Sequence, residues 1–203
     1  MQEKIILPPP NLKGLISVEE AISKRRSHRS LSDQPVSLET LSQLLWSAQG
    51  ITERSRHLRA VPSAGSTFPL EIFVVAGTFG IGGLAAGLYV YSPADHTFSP
   101  LRNGDFRQGL ASEALGQQAI ANAPVTLVIT ADYERTRGRY RNRTERYVHM
   151  EAGHAAQNVH LQAVGLGLGT VAIGAFDDSG VAAVLGLAAN YAPLYIMPIG
   201  TTV

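Results

Sequence analysis

A run of twenty uncharged residues, 72–91, constrains the fold of this chain more than any other feature of its sequence. The run is long enough to cross a bilayer, and its Gly83-x-x-x-Gly87 spacing is one that membrane helices use to dimerise. Five glycines interrupt it, however, and its flanking charges, Glu71 and Asp95, are acidic rather than basic. β-Branched and aromatic residues lie near both ends, which is typical of buried strands. We therefore predict two strands joined by a glycine-rich turn, and no membrane span.

The rest of the apolar pattern predicts helices and strands that do not alternate in a βαβ order. A capping box at Ser17–Glu20 begins a first helix that we expect to end near Arg26, and the longest helical pattern covers Thr144–Leu166. Because βαβ alternation is missing, the sequence predicts an α+β fold, and no linker divides residues 1–203 into more than one domain. The other expected elements are helices at 37–50, 105–115 and 177–187, and strands at 72–76, 88–91, 97–101, 125–131, 171–175 (expected to be central) and 194–199.

Composition excludes several chemistries. Charged residues make up 16% of the chain, too few to coat a large free surface, so we expect a second subunit to cover part of it. The net charge of +1 gives no reason to expect nucleic acid or an anionic membrane as a partner. The absence of cysteine excludes disulfides, a thiolate nucleophile and cysteine-ligated metals. Residues 1–10, three apolar residues and a proline run among them, are too short and stiff for a secretory signal, so the expected location is cytoplasmic.

The basic residues are unevenly distributed. Thirteen of the seventeen lie in Lys24–Arg29, Arg54–Arg59 and Arg135–Arg146, and fourteen of the seventeen are arginine. The planar guanidinium suits phosphate and carboxylate, so this bias predicts anion recognition, with solvated loops as the alternative. Nucleic acid is not expected as the partner, since the sequence has no recognised nucleic-acid module. A second unusual segment is Val61–Pro69, where two prolines fix the backbone and small residues would let a planar ligand approach.

Two further motifs carry less weight. Gly80–Ala85 resembles a dinucleotide fingerprint, but the next strand begins too soon to leave room for the required helix. Glu151 and His154 lie one helical turn apart, as in a carboxylate-bridged metal site, although such sites need a second copy of the motif. We expect this pair to be buried polar groups with local partners, and we predict no metal site.

Seven segments that run from about Ser17 to Gly200 occur in the order seen in one known family. They read RRSHRSL, LLWSAQGIT, VPSAGSTFPLEIFVV, GLYVYSP, APVTLVITADYERT, RYRNRTERYVHMEAGHAAQNVHLQAVGLGLGTVAIGAFDD and PLYIMPIG. In this set the chain resembles the nitroreductase superfamily, and within it the SagB-type dehydrogenase branch, which includes azoline dehydrogenases. The resemblance implies a nitroreductase-like α+β fold with a mostly antiparallel central sheet flanked by helices, a long central helix, and an intertwined homodimer that binds FMN at its interface.

The same resemblance implies which residues contact the flavin. Arg25, Arg26 and Ser27 would hold its phosphate and ribityl chain, and Arg29 would lie near N1 and O2 of the ring. The remaining implied contacts are Pro62, Ser63, Ala64, Gly65 and Ser66 along the flavin edge, and Gly174, Ala175 and Phe176 near N5. A reduced nicotinamide cofactor, NAD(P)H, typically donates hydride in this family, and a small organic oxidant then takes its place. The expected function is therefore that of an FMN-dependent oxidoreductase.

Two positions depart from the family pattern. Azoline dehydrogenases of the branch carry a Lys-Tyr pair where this chain has Arg139 and Tyr140, and a guanidinium does not readily release a proton to act as a base. Many relatives also place a basic residue after the last strand, whereas residues 200–203 contain none. The phosphate would then rely on the Arg25 cluster or on charge from the Arg135–Arg146 stretch, which substitution of Arg143 and Arg146 would test. A flavin-dependent activity without NAD(P)H and a non-enzymatic basic interaction module are the alternatives.

Overall fold

A seven-stranded sheet with antiparallel pairing between its strands forms the centre of the fold. The structure is a computed structural model that describes residues 4–203. Residues 1–3 lie outside the described part; they belong to the predicted domain 1–203 and to the segment 1–10 that was compared with a secretory signal. The strands are β1 (Ile5–Ile6), β2 (Ile51–Glu53), β3 (Leu58–Arg59), β4 (Leu70–Ala76), β5 (Gly87–Ser92), β6 (Thr97–Asn103), β7 (Val125–Asp132), β8 (Gly169–Thr170) and β9 (Tyr191–Gly200). Their order in the sheet is β1-β6-β5-β4-β7-β9-β8, while β2 and β3 form a separate hairpin.

Within residues 4–203, seven α-helices surround the sheet. The two helices predicted to begin at Ser17 and Ser37 begin as expected. Ser17 accepts a hydrogen bond from the Glu20 amide, and Ser37 accepts one from the Thr40 amide, so each hydroxyl satisfies a free helical N–H. The helices are α1 (Val18–Lys24), α2 (Leu38–Gln49), α3 (Arg107–Glu113), α4 (Gln118–Asn122), α5 (Glu134–Tyr140), α6 (Thr144–Gly165) and α7 (Asp178–Leu185).

The uncharged run folds as two paired strands, which confirms the prediction made for it. Phe73 of β4 pairs with Val90 of β5, and Ala76 pairs with Gly87 across the turn. Within residues 4–203, no helix combines the length and the apolar character needed to cross a membrane. The glycine-rich segment with the fingerprint-like spacing lies in the connection between β4 and β5, with no helix after it.

Two separate hydrophobic cores cover the two faces of the sheet. Ile72, Val74 and Ala76 of β4 point into a core shared with α2 and α6, whereas Phe73 and Val75 point into a core shared with α3, α4 and α7. This division follows from the two-residue period of a strand, whose successive side chains lie on opposite faces. Because both faces are buried, β4 reads as a continuous apolar run rather than an alternating one.

Helix α6 is the longest element, and its bounds match the prediction of 144–166 within one residue. Its buried side is lined by Val148, Ala152, Ala155 and Val159, and the alanines let α2 approach closely. The opposite side carries exposed residues, among them Met150, of which 54% is exposed. One side of this helix therefore belongs to the core, and the other side has no cover within a single chain.

The prediction of a central strand at 171–175 is wrong. The strand nearest to this range is β8, which covers only the two residues before it and lies at the edge of the sheet. Within the range itself, Ile173 makes an isolated bridge to Ile196. The apolar pattern was misleading because residues 171 and 173 are buried against α3 and α7 instead of between two strands. Several short elements were also not predicted, namely β1, the β2–β3 hairpin, α4, and α5 within the third basic stretch.

Candidate functional site

The first candidate group lies on the segment that follows α1. The helix ends at Lys24, and Arg25 has extended backbone angles, so the segment continues as a strand-like edge. Ser27 forms a parallel bridge with Thr170, and the His28 amide donates a 2.9 Å hydrogen bond to the Thr170 carbonyl. These contacts fix the backbone that carries the basic residues at the outer edge of β8.

The guanidinium groups on this segment have different roles. Arg26 donates hydrogen bonds of 2.9 and 2.8 Å to the carbonyls of Ser23 and Arg25, which satisfies the end of α1. Within residues 4–203, neither Arg25 nor Arg29 forms a salt bridge with an acidic side chain. Two cations without acidic partners, next to the exposed hydroxyl of Ser27, are the donor chemistry that a phosphate requires.

The segment predicted to approach N5 begins four residues after Thr170. Ile173 exchanges two backbone hydrogen bonds of 2.9 Å with Ile196, and the chain then turns away, leaving Gly174 and Ala175 exposed. Phe176 is half-buried and packs against the core formed with α3, α4 and α7. Four residues span at most about 14 Å, so the exposed Gly174 lies within that distance of Thr170, the residue that pairs with Ser27 on this edge.

The second candidate group is the Pro62–Ser66 segment, which forms a short 3-10 turn at Ala64–Ser66. Left-handed backbone angles occur at Gly65 (φ 59°), Ser66 (φ 54°) and Phe68 (φ 45°). Such angles cost a non-glycine residue of the order of 1 kcal/mol or more and persist where the surroundings impose them. The Ser63 hydroxyl accepts a 2.9 Å hydrogen bond from the Phe68 amide and closes the loop.

Arg139 and Tyr140, predicted from a different part of the chain, lie against this loop. Arg139 Nη1 donates a 3.1 Å hydrogen bond to the carbonyl of Gly65. A Cβ atom at Gly65 would lie 2.7 Å from Tyr140 Oη and 2.9 Å from Arg139 Cδ, so a larger residue would displace these side chains and strain a backbone with φ 59°. The structure thus brings the possible catalytic pair and the predicted flavin edge together through the end of α5.

A buried polar cluster beneath the loop was not predicted. Glu151 is only 2% exposed, while His154 is exposed, so the expectation of a buried Glu151–His154 pair is wrong. Arg59 Nη1 donates a 2.6 Å hydrogen bond to Gln49 Oε1. Burial raises the pKa of Glu151 to about 7, and it does so against the opposing effects of Ser63, Arg59 and Gln49. The sequence signal for this cluster was a carboxylate on the apolar face of α6, between Val148 and Ala152.

The two candidate groups lie at opposite edges of the buried side of α6. Glu151 lies at the edge near Pro62–Ser66, and His160 lies at the edge near the Arg25 segment. Burial lowers the pKa of His160, and the charges of Arg25 and His28 lower it further. These positions are separated by about 13.5 Å along the helix axis and by half a turn around it. Arg146 lies about 21 Å from His160 along the axis, so it does not reach the Arg25 segment of its own chain.

Acidic and histidine side chains are the groups of this chain that could form clusters with metal-ligand geometry. Across residues 4–203, His, Asp and Glu side chains do not form a group of three or more that could hold a metal ion. Glu151 and His154, whose spacing resembles that of metal ligands in the sequence, differ in environment, since Glu151 is buried and His154 is exposed.

Comparison with known proteins assigns the chain to a family. The profile described as the Nitroreductase family matches residues 22–201. The chain belongs to the nitroreductase family. A provisionally named nitroreductase of Methanocaldococcus jannaschii is 44% identical over 185 residues, which cover 91% of each chain. The crystal structure of a provisionally named nitroreductase from Ralstonia eutropha JMP134 superimposes with a TM-score of 0.86 at 28% identity, covering 98% of this chain and 90% of that one.

A third relative supports the resemblance to the SagB-type branch. The microcin B17-processing protein McbC of Escherichia coli is 26% identical over 213 residues, which cover 98% of this chain and 76% of McbC. These matches confirm the family and the nitroreductase-like fold that the sequence motifs predicted. The residues that contact a cofactor stay predictions.

Proposed function

We propose that this nitroreductase-family chain is an FMN-dependent oxidoreductase that passes hydride between NAD(P)H and a small organic substrate. The observation that carries the proposal is the segment of Arg25, Ser27 and Arg29, whose cations have no acidic partner within residues 4–203, on the same edge as the exposed backbone of Gly174. A phosphate needs the first feature, and a reactive ring that must be approached closely needs the second.

The Arg25 segment would bind the phosphate end of FMN. Arg25 is half-buried and fixed by the backbone pairing of Ser27 with Thr170, so its side chain starts from a rigid position. Arg26 donates to the end of α1 and would contribute mainly through its charge. Arg29, further along the extended segment, would place a cation near N1 and O2 of the ring, where negative charge develops on reduction. Arg143 and Arg146 would contribute only from a partner chain.

The Pro62–Ser66 segment would lie along the edge of the flavin ring. Its strained backbone is held by Ser63 from within and by Arg139 and Tyr140 from α5. A preorganised loop of this kind loses little entropy when a planar ligand binds. Tyr140 and the guanidinium of Arg139 would then lie near the substrate side of the ring, where they orient a bound molecule by hydrogen bonds.

The two groups would meet only across an intertwined homodimer. Within one chain they occupy opposite edges of α6, about 13.5 Å apart along its axis, so the loop of one protomer would complete the site of its partner. Exposed apolar side chains of α1 and α6 support such an interface: Val18 is 64% exposed, Ile22 56% and Met150 54%. Covering them would also account for the low fraction of charged residues.

When bound, FMN supplies the hydride acceptor and donor at its N5 atom. The protein residues then need only bind, orient and exclude water, which explains why no acid–base pair was recognised in the sequence. Gly174 and Ala175 would leave N5 open to the nicotinamide or the substrate, because neither presents a bulky side chain there. Supply of NAD(P)H accords with the cytoplasmic location expected from the sequence.

The test is a titration of the purified protein with FMN, followed by rapid-mixing reduction with NADH and with NADPH. We expect flavin fluorescence to be quenched on binding, and one of the nucleotides to bleach the yellow colour within seconds. A panel of nitroaromatic, quinone and azoline compounds would then identify the class of substrate. A protein that stays colourless after incubation with FMN would contradict the proposal.

A second candidate is the dehydrogenation of a heterocycle in a modified peptide, as the relationship to a microcin-processing protein suggests. It is favoured by the position of Arg139 and Tyr140 against the loop, where a substrate ring would lie. Because arginine is a poor base, the substitution Arg139→Lys is expected to raise azoline oxidation if this candidate is correct. If Arg139→Lys leaves azoline oxidation unchanged and a reduced nicotinamide bleaches the flavin rapidly, the second candidate is wrong and only the first one remains.

A further inference from the structure

The cluster beneath the Pro62–Ser66 segment has no assigned role in the proposed reaction. Four side chains from separate parts of the chain meet there: Gln49 at the end of α2, Arg59 of β3, Ser63 of the loop and Glu151 of α6. Gln49 is 1% and Glu151 is 2% exposed. The guanidinium of Arg59 also lies over the ring of Phe68, 4.5 Å from its centroid, so it connects the cluster to the far end of the loop.

Two atoms of this cluster are unsatisfied. Within residues 4–203, neither Glu151 Oε1 nor Gln49 Nε2 has a hydrogen-bond partner. A buried carboxyl or amide atom without a partner costs about 1 to 3 kcal/mol, and an apolar side chain at position 151 would avoid that cost. The neighbouring positions Val148 and Ala152 show that this part of α6 is otherwise apolar. A costly polar group directly behind a strained loop points to a role beyond packing.

We propose that Glu151 is a positioning residue for the flavin: through Ser63 and Arg59, its carboxyl group sets the conformation and the local charge of the Pro62–Ser66 segment. The inference rests on the proposed function, because it assumes that FMN lies along this segment. The hydroxyl of Ser63 accepts from the Phe68 amide, so its own proton is not used there, and Ser63 acts to lower the pKa of Glu151. A change at the carboxyl is thus transmitted to the backbone at both ends of the loop.

The charge behind the loop depends on whether Glu151 carries a proton. Arg59 is the charged group that faces it; Glu71, Arg135 and the more distant Tyr91 act in turn on Arg59. With the carboxyl protonated, the cation of Arg59 is not balanced by Glu151 and favours the anionic reduced flavin. With the carboxyl ionised, Glu151 and Arg59 together carry no net charge, and the preference for the anionic reduced flavin is lost. Burial raises the pKa of Glu151 to about 7, so the change falls in the neutral range.

The experiment compares the wild type with Glu151→Gln, which keeps the shape of the protonated carboxyl but cannot ionise. Dissociation constants of oxidised and reduced FMN are measured at about pH 6 and about pH 8. At the lower pH both proteins should show the same ratio of affinities. At the higher pH the variant should favour reduced FMN about tenfold more than the wild type does. The control Glu145→Gln, an exposed carboxylate of the same helix, should follow the wild type. Coinciding curves for Glu151→Gln and the wild type would overturn the inference.

Failure of the proposed function and failure of this inference give different results. If the wild type does not bind FMN, the proposed function is wrong, and the positioning role is then judged on the flavin-free protein by hydrogen exchange of the Phe68 amide. That exchange should respond to pH between about 6 and 8 in the wild type but not in Glu151→Gln, after correction for intrinsic rates. If Glu151→Gln does not fold, Glu151→Leu decides, since it avoids the cost of a buried polar group, cannot ionise and should abolish the same response.

Discussion

Arg25 and Arg29 combine two features: unlike four other arginines they form no salt bridge within residues 4–203, and their segment is held by backbone pairing. Arg56, Arg107, Arg135 and Arg137 each lie within salt-bridge distance of a nearby carboxylate, which consumes much of their capacity to attract an anion. The arginines of the first basic stretch have no such partner within residues 4–203 and stand on a paired backbone. Position and surroundings, rather than the number of positive charges, therefore distinguish a phosphate site from a solvated basic surface.

Removing these charges should weaken flavin binding selectively. Arg25→Ala and Arg29→Ala are each expected to raise the FMN dissociation constant about 10- to 100-fold, since a charge-assisted hydrogen bond contributes about 1.5 to 3 kcal/mol. Arg56→Ala, which removes an exposed arginine already paired with Glu53, is the matched control and should leave the constant unchanged. Fluorescence titration measures all three. Equal losses in the control would indicate a general charge effect rather than a phosphate site.

Glu151 should also give the fold an unusual dependence on pH. Its pKa rises from 4.5 to about 7 on folding, so between these values the folded chain holds a proton that the unfolded chain has released. Stability therefore falls as the pH rises through this window, by roughly 3 kcal/mol at most. Glu151→Gln removes the titration, and urea unfolding at both ends of the window should show a smaller loss for the variant. Parallel stability curves for the two proteins would contradict this.

At the scale of elements, the loop after β3 and the end of α5 form one unit. The loop cannot relax towards α5, because Gly65 already touches Tyr140 and Arg139, and it cannot relax inwards, because Ser63 is tied to Phe68. The strain at residues 65–68 is thus imposed from two sides. This arrangement turns two segments that are distant in sequence into a single rigid wall of the candidate site.

A methyl group tests the rigidity of this wall. Gly65→Ala should destabilise the fold by about 1 to 2 kcal/mol, because it adds a Cβ to a left-handed residue in contact with Tyr140 and Arg139. Gly138→Ala is the control on α5, where a Cβ would meet no atom within 4 Å and should instead stabilise the helix by up to about 1 kcal/mol. Thermal unfolding compares the two. A neutral effect of Gly65→Ala would mean that the loop is free to move away from α5.

Elements with a strong local signal were the ones that the sequence could predict. The serine caps at Ser17 and Ser37 and the long apolar face of α6 depend on neighbouring residues, and their helices begin where expected. The edge position of β8 depends on which strands pair, which a local apolar run does not encode. The Glu151 cluster was missed for the same reason, since Gln49, Arg59 and Ser63 come near it only through the tertiary fold.

At the scale of the whole molecule, the chain leaves apolar side chains of α1 and α6 exposed, which the proposed dimer would cover. Val18 and Ile22 lie one turn apart on α1, and Met150 lies on the outer side of α6. A second copy that covers this surface would bring its Pro62–Ser66 loop towards the Arg25 segment. Assembly and cofactor binding would then be linked, because a ligand that binds only the assembled form stabilises it by mass action.

Disrupting the proposed interface should therefore remove the flavin as well. The double substitution Ile22→Asp and Met150→Asp is expected to convert a dimer to monomers and to weaken FMN binding at least tenfold, since it buries charge in an apolar contact. Phe79→Asp is the control; Phe79 is 81% exposed in the connection between β4 and β5 and belongs to neither helix. Analytical ultracentrifugation with flavin absorbance follows both properties. Monomers that retain full FMN affinity would contradict a shared site.

The pairing of residues 27–32 with Thr170 and with residues 201–203 has a consequence for aggregation. These residues cover the outer edge of β8, and an uncovered strand edge is a template on which other chains can add. The segment proposed to hold phosphate therefore also protects the sheet edge from pairing with other chains. A preparation stripped of flavin should scatter light at a lower temperature on heating than one saturated with it, even where both are equally folded at the start.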